Sequence, residues 1–139
     1  MLAPTYDILT KNIEVNNLQD VITAYNCVLG EKAGSAEICT CDLFNFGGTN
    51  FTESKSLNGI EMKPLDSFDF GTKIDFIKMD VEGFEYKVLQ GSKSLLLKDK
   101  PILWVEIFEC NYPKVSELLS ELGYKQIEAL DKSNYIFMA

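Results

Sequence analysis

A strand-length apolar run, Ile74-Asp75-Phe76-Ile77-Lys78-Met79, leads without a spacer into the acidic, glycine-bearing turn Asp80-Val81-Glu82-Gly83-Phe84-Glu85. Near-continuous apolar character over so few residues marks a strand buried on both faces of a parallel sheet. The next stretch has helical spacing: Phe84, Val88, Leu89, Leu95 and Leu96 are its apolar positions. Gly91 is either a weak point of that helix or a place where it packs closely on the sheet. After Pro101, residues Ile102 to Phe108 read as a second buried strand. Val115, Leu118, Leu119 and Leu122 mark another helix, which Gly123 closes. Two short strands, Lys125 to Leu130 and Tyr135 to Met138, flank the turn Asp131-Lys132-Ser133-Asn134 and predict a C-terminal β-hairpin. Strand–helix–strand–helix alternation of this kind predicts an α/β sheet with helices on its faces.

The first half is less regular. Tyr6, Leu9, Ile13 and Val15 recur at helical spacing, with Thr5 as the N-cap, up to Asn16-Asn17. Residues Val21 to Leu29 are rich in strand formers and stop at Gly30. Residues 35–41 and Ile60 to Leu65 are two further short strands. The intervening 42–58, with Gly47-Gly48 in its middle, reads as a long irregular loop.

Composition narrows the chemistry. The 139 residues form a single domain, and a hydrophobic fraction of 46% is enough for a sizeable core. All 13 basic residues are lysine, against 21 acids, for a net charge of −8. Without arginine and with this acidity, a nucleic-acid partner is not expected. The chain has no histidine, which excludes Ser-His triads, His-ligated zinc and imidazole bases. Acid–base work therefore falls to Asp, Glu, Lys, Tyr or Cys. Cys27, Cys39, Cys41 and Cys110 lack paired zinc-ligand spacing, so no metal site is assigned and the thiols read as reduced. No run approaches the roughly 18 apolar residues of a membrane span, and Met-Leu-Ala-Pro-Thr-Tyr-Asp is unlike a signal peptide, so a cytoplasmic protein without a membrane partner is expected.

Ligands of open α/β sheets gather at the carboxyl ends of the strands. Two strands here end in acids: Ile74–Met79 runs into Asp80, and Glu106 stands near the end of the strand after it. One crossover joins the two strands, so Asp80 and Glu106 are expected side by side at one sheet edge. Gly83 allows the tight turn, and Glu85 falls in the first helical turn, where a carboxylate suits the helix dipole. A buried pair of acids needs a cation or a shared proton, and Lys78 is the internal candidate. Glu82 and Glu85 could equally serve only to cap the helix.

The segment Ile74 to Glu85, followed by Val88-Leu89-Gln90-Gly91-Ser92, closely resembles the Ile-Lys-Ile-Asp-Val-Glu-Gly-x-Glu segment and Leu-x-Gly helix of the FkbM family of S-adenosylmethionine-dependent methyltransferases. Pro101 to Glu106 resembles that family's Pro-x-x-x-x-Glu strand. Leu9 to Asn16, Val28-Leu29-Gly30 and Phe46-Gly47-Gly48-Thr49 resemble its N-terminal helix, a strand end and a glycine-bearing loop. The resemblance implies a class I methyltransferase, Rossmann-like sheet ending in a β-hairpin. It implies S-adenosylmethionine as cofactor and a sugar or small-metabolite hydroxyl as methyl acceptor. By the same analogy Asp80, Glu82 and Glu106 are catalytic. Asn26 and Cys27, at the end of the third strand of the family fold, approach the adenine along with Asp80 at the sulfonium. Gly47, Gly48 and Glu85 line the acceptor pocket.

The family's first two strands and its Asp-x-Gly-Ala-x-x-Gly turn have no counterpart in residues 1–139. The expectation is thus a truncated sheet, in which Ile74–Met79 has a bare edge. Bare apolar edges invite pairing. Either Val21–Leu29 closes onto the edge, or a second copy or a complementing N-terminal chain does, or the fold is weakened. The alternative to an enzyme is a non-catalytic truncated remnant that acts as a binding or partner subunit.

Overall fold

The computed structural model describes the backbone of residues 3–42, 45–54 and 59–139, and the side chains of 5–38, 52–54 and 59–139. Helix α1 (Ala3–Val15) leads to strand β1 (Val28–Leu29), the long hairpin β2 (Gly34–Asp42) and β3 (Asn45–Ser54), and β4 (Ile60–Lys63). A single 3-10 turn, Leu65–Ser67, precedes β5 (Phe76–Met79), α2 (Glu85–Gln90), α3 (Lys93–Asp99) and β6 (Ile102–Glu106). Helix α4 (Tyr112–Glu121) and the hairpin β7 (Lys125–Ala129) and β8 (Asn134–Met138) complete the chain.

The strands make two mixed four-stranded sheets, β1-β4-β2-β3 and β5-β6-β8-β7, where one truncated sheet was expected. In the second, β5 and β6 are parallel with Met79 opposite Val105, and β8 is antiparallel to both β6 and β7. The C-terminal hairpin is therefore as expected. Residues 21–27 are not strand: only Val28–Leu29 is, and it pairs in parallel with β4 instead of closing onto β5. Tyr25 meets the Phe68 ring at 5.0 Å, and the Val21 and Ile22 amides bond back to the Leu18 carbonyl. The 42–58 stretch is not a loop throughout, because β3 pairs along β2 from Ser35 opposite Ser54 to Asp42 opposite Asn45.

The core lies on one face of the second sheet. Leu103, Val105, Phe137 and Met79 point into it, and α2, α3 and α4 cover them with Val88, Leu89, Leu96, Val115 and Leu119. Helices on both faces, and strands buried on both, were the expectation. In the event β5 alternates, and Phe76 is 50% exposed beside the half-covered Ile102, Trp104 and Met138. The apolar run came from two different faces, one packed and one open, and a count of apolar residues cannot separate these cases.

The expected single helix over 84–96 is two, broken at Gly91-Ser92. Gly91 is the close-packing point: a Cβ there would collide with the Gly30 carbonyl oxygen and press on the Pro64 ring. Its own carbonyl accepts the Asp66 N–H at 2.9 Å. Here the residues that follow β1 and β4 dock on the junction of α2 and α3. Lys87 of α2 adds an ion pair to Glu53 of β3 at 2.6 Å, which holds the Glu53 carboxyl below its ordinary range.

Candidate active site

The parallel register places the acids. Met79 lies opposite Val105, so Asp80 and Glu106 are the next residues along two neighbouring strands, on the edge where both strands end. They are not a buried pair. Asp80 is exposed, and Lys78 meets it at 3.5 Å while lying over the Trp104 ring at 5.5 Å. Lys78 is thus the companion cation, but as a surface partner. Trp104 is fixed by its indole N–H, which donates to Asn134 Oδ1 at 2.8 Å. Glu106 is half-buried and accepts from the Ser133 hydroxyl at 3.4 Å. Asp131 supports that hairpin turn by accepting the Ser133 and Asn134 amides, each at 2.8 Å, which keeps its carboxyl below the ordinary range.

Glu82 completes the edge. Partial burial pushes its carboxyl above the usual carboxylate range, and the charges of Asp80, Glu106 and Glu85 push the same way. Glu82 and Gly83 both have left-handed backbones, φ 48° and 97°, and the Phe84 N–H closes the turn on the Val81 carbonyl at 3.1 Å. Positive φ at both central positions is a type I′ arrangement, which suits Gly83 and strains Glu82.

The remaining expected site residues are placed differently. Glu85 is 1% exposed, and both its oxygens are taken within the chain, by the Gly83 N–H at 2.6 Å and by Asn111 Nδ2 at 2.7 Å. It braces the wall of the edge and does not face outward to an acceptor. Asn26 and Cys27 come before β1, at its start and not at its end, because the strand is shorter than its composition suggests. Burial pushes the Cys27 thiol above its ordinary range, with nearby Lys63 opposing. Gly47 and Gly48 fall within the backbone of β3, and their surroundings lie outside the described residues. Asn111 and Trp104 were not singled out from the sequence. Asn111 stands before a helix with Pro113 near its start, and reads as an ordinary N-cap.

A cavity of about 380 Å³ lies elsewhere, lined by Asp66, Phe68, Phe70, Lys73, Lys98 and Asp99 at the start of β5. Its acids are already engaged: Asp66 accepts the Ser94 and Leu95 amides, and Asp99 accepts the Ile74 amide. Asp69, which also lines it, accepts the Gly71 amide. Among the described residues, no three Cys, Asp or Glu side chains are grouped to hold a metal ion.

The family model described as "Methyltransferase FkbM domain" matches residues 3–127. The fold is similar to the crystal structure of methyltransferase FkbM from Methylobacillus flagellatus KT, with a TM-score of 0.62 and 19% sequence identity. The match takes in 98% of this chain and 33% of that one, so the chain spans about a third of that protein's length. No curated protein matches the chain.

Proposed function

The chain belongs to the FkbM methyltransferase family, and from that premise we propose that its acidic sheet edge serves S-adenosylmethionine-dependent O-methylation of a sugar or small metabolite. The observation that carries this is the gathering of Asp80, Glu82 and Glu106 at the ends of two adjacent parallel strands, with Glu82 holding its proton to higher pH than a free carboxyl. The cofactor fits this donor set by charge: an edge of carboxylates favours a sulfonium cation. When bound, S-adenosylmethionine supplies an electrophilic methyl group. Asp80, exposed and anionic beside Lys78, is the residue placed to hold the positive centre. Glu82 accepts the acceptor hydroxyl's proton, since a carboxylate of raised proton affinity is the better base near neutral pH. Glu106, steadied by Ser133, orients the acceptor. A deuterated-methyl cofactor offered with hydroxyl-bearing sugars tests the reading. The expected product carries the label on a hydroxyl oxygen; label found only on nitrogen or carbon acceptors would overturn it.

The open side of β5 bears on partners. The Ile102 N–H donates to the Asp75 carbonyl at 2.9 Å, so the amides of Phe76, Lys78 and Asp80 point away from β6. Beside that edge the outer face of the sheet is partly uncovered, at Phe76 of β5 and at Ile102 and Trp104 of β6. The occupant we assign is a complementing segment that carries the first two strands of the family fold. Its support is the solved methyltransferase FkbM, two thirds of which lies beyond the part that matches here. In the complemented protein, the Phe76 and Lys78 amides should exchange as slowly as those of Leu103 and Val105. Protection that instead rises with concentration of the chain alone would assign the edge to a second copy. Fast exchange throughout would leave the edge open to water and end the proposal.

A further inference from the structure

Asn111 occupies a position that its place in the sequence does not explain. It precedes α4 yet makes no side-chain bond to its own helix. Its Nδ2 crosses to the loop after β5, donating to Glu85 Oε2 at 2.7 Å and to the Gly83 carbonyl at 3.1 Å. Glu85 Oε1 accepts the Gly83 N–H at 2.6 Å. Both backbone groups of Gly83 are therefore gripped from one side, by two side chains that are 1% and 8% exposed. A carboxylate this deeply buried is tolerated because each oxygen has a donor.

The grip opposes the strain at Glu82. A non-glycine residue with a left-handed backbone is strained and persists only where its surroundings hold it. The turn bond from Phe84 N–H to Val81 O is one restraint, and the grip on Gly83 is the other. Asn111 also belongs to the segment after β6, held by its own amide on the Phe108 carbonyl at 2.8 Å. The grip thus ties together the two loops that come after the two acid-bearing strands.

We propose that Asn111 is a positioning residue: through Glu85 and Gly83 it locks the 81–84 turn, and so holds the Glu82 carboxylate in place beside Asp80 and Glu106. The importance of this for turnover rests on the methyltransferase reading, but the lock itself is independent of it.

Nuclear magnetic resonance on the full chain tests the lock without turnover. In the unaltered chain, the Asn111 side-chain amide protons should exchange slowly, and Glu82 should show the strong intraresidue amide–Hα contact of a left-handed residue. Asn111→Ala should weaken that contact and speed exchange of the Gly83 and Phe84 amides at least tenfold, with Leu103 and Val105 unchanged. Glycine needs no restraint at positive φ. In a Glu82→Gly background, Asn111→Ala should therefore leave Phe84 exchange unaltered. Equal acceleration in both backgrounds would show a general support of α4 and overturn the proposal. So would an unchanged Glu82 contact in Asn111→Ala. If that variant does not fold, freely exchanging Asn111 side-chain protons in the unaltered chain overturn the lock, and slow ones sustain it. A methyltransferase reading that fails leaves all these resonance outcomes standing. A lock that fails leaves methyl transfer intact.

Discussion

Asp80→Asn should lower methyl transfer at least 100-fold while leaving the fold in place. The substitution keeps the shape of the side chain and removes its charge at the end of β5, where the proposed sulfonium lies. A charge aimed at the reacting centre is commonly worth about 100-fold to 1,000-fold in rate. Its structural contribution is small. Asp80 and Lys78 are 50% and 38% exposed at 3.5 Å, and an exposed ion pair contributes roughly 0–1 kcal/mol. The melting temperature should hardly move. A second consequence is independent of turnover. Asp80 is one of the charges that hold the Glu82 carboxyl up, so Glu82 should titrate at lower pH in the variant. Titration followed on the Glu82 carboxyl carbon reads this directly. Unchanged turnover would reassign Asp80 to a structural role, as the partner of Lys78 alone.

Gly91→Ala should be the most damaging glycine-to-alanine change among the described residues. The backbone at Gly91 is ordinary, φ −80°, and any residue could adopt it. The obstacle is space: the new carbon would meet the Gly30 carbonyl, a backbone atom that cannot swing aside, and the Pro64 ring at 3.0 Å. Relief requires the first sheet to back away from α2. That stretches the bond from Asp66 N–H to the Gly91 carbonyl. Overpacking of this kind costs about 1–3 kcal/mol, and the upper end applies where backbone must move. A loss of about 3 kcal/mol corresponds to a melting temperature lower by roughly 10 °C in a domain of this size. Gly71→Ala is the control. It has open space around it but φ 65°, so it should cost only about 1 kcal/mol of backbone strain. Exchange of the Val28 and Met62 amides should accelerate in Gly91→Ala, while that of Leu103 and Val105 changes less. Equal stability of the two alanine variants would show that the sheets do not depend on this contact.

Much of the local structure was legible in residue order, because it is governed by near neighbours. The periodicity of Val115, Leu118 and Leu119 produced α4, and all three are buried. Asp131 to Asn134 produced the hairpin turn, since an Asp side chain can accept the amides two and three residues on. The acids at the ends of β5 and β6 were legible as a pair because a single crossover joins two parallel strands, and the register makes them neighbours. Strand length was less legible. Residues 21–27 have strand-forming side chains but no ladder to join, and β propensity expresses itself only where a partner strand exists.

Residue order alone determined where acid, glycine and apolar side chains fall along the chain, and hence α4, the C-terminal hairpin and the acidic edge. Only the tertiary structure decided how each of those residues is used. Glu82 and Glu85 are three positions apart and chemically identical, yet one faces the edge with a raised proton affinity and the other is sealed in with both oxygens bonded. The difference is made by Asn111, 26 residues beyond Glu85, and by a turn whose two left-handed residues reverse the chain between them. Spacing conveys which face of a strand or helix a side chain leaves from. Burial and hydrogen-bond partners depend on what long-range packing brings against that face, and no local pattern carries that information.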